Sequence, residues 1–119
     1  MSLAETIKTE MISLCPDFAK VWNDEGDLWT HFDGFSTVHG VFSVFSHYIR
    51  DRLAHGADPE FGRVFDYVES KFTDHDSEVD NAVCTCFLEN LIDCVPEMMQ
   101  LLDPYLGPKS RRFFLAWDL

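Results

Sequence analysis

Apolar residues recur at helical spacing along nearly the whole chain. Leu3, Ile7, Met11 and Leu14 form a stripe at i, i+4, i+8 and i+11, which predicts a first helix ending near Cys15, because Pro16 restricts the residue before it. Pro16 can open a short second helix in which Phe18, Val21 and Trp22 share a face and which Gly26 ends. Asp24 to Gly34 carries four acids among Leu28, Trp29 and Phe32, and reads as a loop or broken turn with aromatic anchors. Ser36 or Thr37 then caps a helix running to about Ala54, with Val38, Val41, Phe42, Phe45, Ile49 and Leu53 inward and Gly56 as its C-cap. Gly40 falls inside that helix and suggests a close helix contact.

Asp58-Pro59-Glu60 is a helix start, with a capping carboxylate, a proline at N1 and an acid in the first turn. Phe61, Val64, Phe65, Val68 and Phe72 make the buried face of the helix that follows, which ends near Thr73. Val79 to Val95 contains no Gly or Pro and is apolar on two sides, so it predicts a central helix packed against neighbours on both. Ser77 as N-cap with Asp80 at N3 gives it a capping box, and Pro96 breaks it. Met98, Met99, Leu101 and Leu102 suit a short helical piece. After a turn at Asp103-Pro104, Pro108 starts a last helix with Ser110, Phe113, Phe114 and Trp117 on one side. Lys109, Arg111 and Arg112 crowd its start against the dipole's preference, which calls for acids nearby.

The expected fold is therefore all-α, a compact helical bundle or short stack of helical hairpins. It has five to seven helices in one domain over residues 1–119. A length of 119 residues and 46% hydrophobic composition permit a core without staples. Eleven Phe and three Trp are too many for a disordered acidic chain, so the net charge of −12 describes a surface. That charge disfavours nucleic acid and anionic membrane as partners and leaves basic proteins. It is uneven: residues 58–103 carry twelve acids against two bases, and residues 104–119 carry three bases against one acid. Asp74, Asp76, Glu78 and Asp80 cluster beyond what capping requires and are candidate partner contacts, with Trp22, Trp29 and Phe32 as aromatic anchors. No apolar run is long enough to span a membrane, and the N-terminus does not read as a signal peptide. The four cysteines are then expected as reduced thiols in a cytoplasm.

Candidate chemistry changes this picture little. His31, His39, His47 and His55 recur every eight residues, but that spacing does not align them on one helical line. Cys84-x-Cys86 with Cys94 lacks zinc-site spacing, and no metal or cofactor is expected. No nucleophile elbow or phosphate loop is present, and no catalytic residue is assigned. Glu89 and Asn90 sit deep in the apolar central helix, where a carboxylate needs a partner. Glu89 is expected to accept from Arg111, Arg112 or backbone donors at a helix start, locking the last helix to the central one. Asn90 is expected to bond across to a loop or helix end.

Phe87-Leu88-Glu89-Asn90-Leu91, followed about fifteen residues later by Leu106-Gly107-Pro108-Lys109-Ser110-Arg111, resembles a family of small uncharacterised bacterial proteins. Phe65-Asp66-Tyr67-Val68-Glu69 and Ser77-Glu78-Val79-Asp80-Asn81 fit the same pattern, and the resemblance covers about residues 58 to 115. It implies a compact helical domain, with Glu89, Asn90, Gly107 and Pro108 at recurrent positions and no catalytic role. Some members resemble immunity proteins of polymorphic toxin systems. The function expected is non-catalytic binding of a basic protein, with neutralisation of a cationic toxin as its most specific form. The alternatives are a small ligand- or metal-binding enzyme with a histidine and carboxylate pocket, and a structural or assembly protein.

Overall fold

Ser2, Thr37 and Ser77 each turn a side-chain oxygen onto the third backbone N–H of a helix, and these caps fix three of the helix starts. In the computed structural model, residues 2–23, 37–56, 59–72, 77–92 and 100–117 are described. The fold is all-α, with no strand among these residues. Its helices are α1 (Leu3–Leu14), α2 (Phe18–Val21), α3 (Val38–Leu53), α4 (Glu60–Lys71), α5 (Glu78–Ala82), α6 (Glu89–Ile92) and α7 (Pro108–Trp117). A π-helical segment, Val83–Leu88, joins α5 to α6 in one continuous rod, and a 3-10 turn, Asp103–Tyr105, precedes α7. The radius of gyration is 13.6 Å, close to the roughly 13.5 Å of a compact chain of this length.

The centre is a pair of elements. Val79–Val95 was expected to be the central helix; residues 93–95 lie outside the described residues, and α3 shares the centre, packing against α1, α2, α5, the π segment and α6. Ten of its sixteen residues are buried, and a stripe of His39, Ser43, His47, Arg50 and Asp51 is left toward the surface. The predicted inward faces of α3 and α4 are all buried. The first helix differs: Leu3 is 52% exposed, and Ala4, Ile7 and Met11 form its buried stripe. Gly40 lies at the third position of α3, where its N–H meets Thr37 Oγ1 at 3.0 Å, so it stands in the first turn and not in the helix interior. Gly56, at φ 102°, ends α3 in the left-handed region, with its N–H on Leu53 O at 3.0 Å.

Phe87, in the π segment, is the hub of the core. Its ring stacks on Phe45 at 5.7 Å and also meets Phe42 at 6.4 Å and Phe65 at 5.9 Å. Phe45 extends the chain of rings to Phe18 of α2 at 5.0 Å. Five or six large side chains at full burial thus bind α2, α3, α4 and the rod together, each contributing about 1.5–3 kcal/mol of burial.

Candidate functional site

The last helix starts at Gly107-Pro108-Lys109-Ser110, and its N-cap is a glycine with no side-chain oxygen to offer. Glu69 of α4 supplies the missing acceptor. Its Oε2 accepts from the Lys109 N–H at 2.7 Å, and its Oε1 accepts from the Ser110 N–H at 3.2 Å and the Ser110 hydroxyl at 3.1 Å. These are the second and third residues of α7, the N–H groups that an N-cap side chain normally satisfies. Pro108 at N1 has no N–H to satisfy. A β-carbon on Gly107 would overlap Glu69 Cδ and Oε1, so the glycine makes room for the carboxylate. The negative charge also answers the positive end of the helix dipole and the lysine beside it. Lys109 Nζ continues to Phe72 O at 2.5 Å, pinning the C-terminal end of α4.

This corrects the expectation for Glu89. Among the described residues no hydrogen bond or ion pair reaches the Glu89 side chain, and the residue is half-buried. Arg111 turns instead to Asp103, with Nη1 on Oδ1 and Nη2 on the backbone oxygen, both at 2.7 Å. Arg112 is exposed. The physical reason is the π segment. Its wider i→i+5 turn, seen in the Glu89 N–H bond to Cys84 O, shifts everything after it around the axis relative to an unbroken α-helix. A helical wheel at 3.6 residues per turn therefore places Glu89 too deep.

Asn90 bonds across to the middle of α3, and not to a loop or helix end as expected. Its side-chain amide donates to Ser46 Oγ of α3 at 3.0 Å and to Cys86 O of the π segment at 2.7 Å. Ser46 is fully buried and donates onward to Ser43 O at 2.6 Å, so both sides of its hydroxyl are satisfied. One helical turn away, His39 Nδ1 lies 3.3 Å from Cys86 Sγ, and Thr85 Oγ1 lies 3.5 Å from the same sulfur. Thr85 also donates to Asn81 O at 2.7 Å, beside the start of the π segment. Residues from α3 and the rod thus form a polar seam of Ser46, Asn90, Cys86 and His39 across an otherwise apolar joint. A pocket with His39, His47 or His75 near a carboxylate was the mark of the enzyme reading; His39 meets a thiol at 3.3 Å, and His75 lies outside the described residues.

Two other polar groupings bear on the surface. Glu10 Oε1 accepts from the Tyr67 hydroxyl at 2.8 Å and Lys71 Nζ at 3.2 Å, beside an open depression of about 400 Å³ lined by Thr9, Glu10, Ser13, Leu14 and Tyr67. Burial first, and then the Glu10 hydrogen bond, push the Tyr67 hydroxyl above its ordinary range. Just past the C-terminus of α1, Arg52 Nη2 meets Glu60 Oε2 at 3.1 Å, and the Cys15 thiol is buried beside Glu60. Burial, then the Glu60 charge and its hydrogen bond, push that thiol up to about 12.

Of the expected partner contacts, Trp22 is half-buried. Its ring lies 6.4 Å from Phe18, and Lys8 Nζ lies 5.4 Å from its centroid. Glu78 is exposed in the first turn of α5. Asp80 is only 5% exposed, because it closes the capping box with Ser77, and it presents no carboxylate to a partner. Trp29, Phe32, Asp74 and Asp76 lie outside the described residues. Two further exposed acids, Asp51 and Asp66, were not among the expected partner contacts; no hydrogen bond or ion pair to their side chains, or to that of Glu78, is found among the described residues. By contrast Lys8, Arg52, Lys71 and Arg111 are held in ion pairs within the fold. Among the described residues no group of three or more metal-binding side chains gathers, and no helix is long and apolar enough to cross a membrane.

No curated protein matches the chain significantly, and no solved structure does. A family match described as Domain of unknown function (DUF7674) spans residues 9–118 and takes in the Glu69 cap, the π segment and the whole of α7, so the chain belongs to the DUF7674 family.

Proposed function

We propose that this chain is a non-catalytic, acidic protein-binding domain, of the bacterial cytoplasmic immunity type that neutralises a cationic toxin. The observation that carries the reading is the division of charge. Four of the nine basic side chains are spent on internal ion pairs, and Asp51, Asp66 and Glu78 stand exposed on three different helices, outnumbering exposed Lys20 and Arg63 in a chain with net charge −12. Such a surface speeds encounter with a basic partner and rejects acidic ones. Half-buried Trp22 supports the reading as an anchor whose inner edge is already fixed by the core.

The test is capture from lysate of the native host at low and moderate salt, using wild-type protein and the folded variant Asp66→Lys/Glu78→Lys. Stoichiometric retention of one basic protein by wild-type, and its loss with the variant, is expected. Retention of nothing, or equal retention by both proteins, overturns the reading.

A further inference from the structure

The polar seam contains a nucleophile that the binding function does not use. Cys86 is partly buried on the π segment and keeps some exposure, whereas Cys15 is fully buried. The imidazole of His39, from the first turn of α3 and 47 positions earlier in the chain, meets the Cys86 sulfur at 3.3 Å. With its Nε2 protonated, His39 Nδ1 is an acceptor aimed at the thiol. The Thr85 hydroxyl sends its own proton to Asn81 O, and its oxygen, 3.5 Å from the sulfur, is the more distant of two acceptors for the single thiol proton, His39 Nδ1 at 3.3 Å being the nearer. A partly exposed thiol with an imidazole acceptor in contact is the arrangement that thiol nucleophiles share.

We propose that Cys86 is a site of thiol–disulfide exchange with small disulfides, with His39 as the proton carrier. The Cys86 sulfur attacks one sulfur of the incoming disulfide as its proton passes to His39 Nδ1. A new S–S bond forms to Cys86, the original S–S bond breaks, and the departing thiolate takes the proton from His39. One disulfide and one thiol enter, one disulfide and one thiol leave, and no outside oxidant is required. The adduct stands on the π segment against α3, one turn before Asn90, where it meets the joint between the two central elements.

The size of the effect is bounded. A free thiol is a few per cent thiolate at neutral pH, so removing its proton during attack can raise the rate by up to about 30-fold. Part of that gain is lost to weaker nucleophilicity, leaving about tenfold. The probes are oxidised glutathione and a chromogenic aromatic disulfide, applied to the reduced full chain, with adducts located by peptide mass spectrometry. The first adduct is expected at Cys86, about tenfold faster than at the same cysteine in the urea-unfolded chain. His39→Gln, with unchanged circular dichroism, is expected to remove that advantage and leave the rate at Cys84 unchanged. A Cys86 that reacts no faster folded than unfolded overturns the proposal in the wild-type protein alone. So does a folded His39→Gln variant that keeps the wild-type rate.

Discussion

Substituting Gly107 with Ala tests whether the last helix is capped by a carboxylate from another helix. The new methyl group takes the space of Glu69 Cδ and Oε1, so the carboxylate must withdraw and release two backbone N–H groups and the Ser110 hydroxyl. Loss of an N-cap costs about 0.5–2 kcal/mol, and a hydrogen bond to a charged group is worth about 1.5–3 kcal/mol when buried. Glu69 is only half-buried, so we take the low end of each and expect a loss of about 2–3 kcal/mol. Spread over 119 residues, that lowers Tm by about 10 °C. Glu69→Ala should lose a similar amount by removing the same three bonds. In the double variant the obstruction and its target are both gone, and Gly107→Ala should then be neutral or slightly stabilising. Urea unfolding of the four proteins, followed by circular dichroism, gives the coupling energy, expected at about 2–3 kcal/mol. Additive losses would refute the trans-capping argument, because they would mean that Gly107 and Glu69 act on different things.

Asn90→Ala should cost about 1–2 kcal/mol by stripping Cys86 O and the buried Ser46 hydroxyl of their donor, and Asn90→Asp about 1 kcal/mol more, since it sets a carboxylate against that carbonyl; urea midpoints check the order. Arg111→Ala should cost less than about 1 kcal/mol, because its pair with Asp103 is exposed on both sides, and thermal melts at two salt concentrations measure it. Stability should fall on the alkaline side. The Cys15 thiol ordinarily ionises at 9.0 but in the fold only at about 12, so above pH 9 the unfolded chain sheds a proton that the folded chain keeps. The contribution is complete below pH 9 and declines by at most about 1.4 kcal/mol per pH unit up to pH 12, and Cys15→Ala should flatten urea midpoints measured from pH 8 to 11.

Much of the fold was legible because its signals are local. Thr37 and Ser77 announce their caps within three residues, and the inward faces of α3 and α4 follow from 3.6-residue spacing. The site was less legible because its partners are distant in sequence. Glu69 and Lys109 are 40 residues apart, and only a physical question links them: what satisfies a helix start whose N-cap is glycine? The answer had been sought in Glu89, and the π segment moved that residue aside. A signal for the segment was present in Thr85, a mid-helix hydroxyl able to bond the carbonyl four residues back. Nothing in residue spacing announces that His39 and Cys86 meet, since α3 and the rod are brought together by Phe42, Phe45 and Phe87. Asp80 belonged to the acidic cluster by sequence, yet its own capping box turned it inward.

The measurement that tests the acidic-binding account most directly is the association rate with the captured partner as a function of ionic strength. Steering by exposed Asp51, Asp66 and Glu78 should make the rate fall by about tenfold or more between low and moderate salt. Asp66→Lys/Glu78→Lys should lower the rate and weaken its salt dependence while leaving dissociation nearly unchanged. An association rate indifferent to salt and to both substitutions would contradict the account.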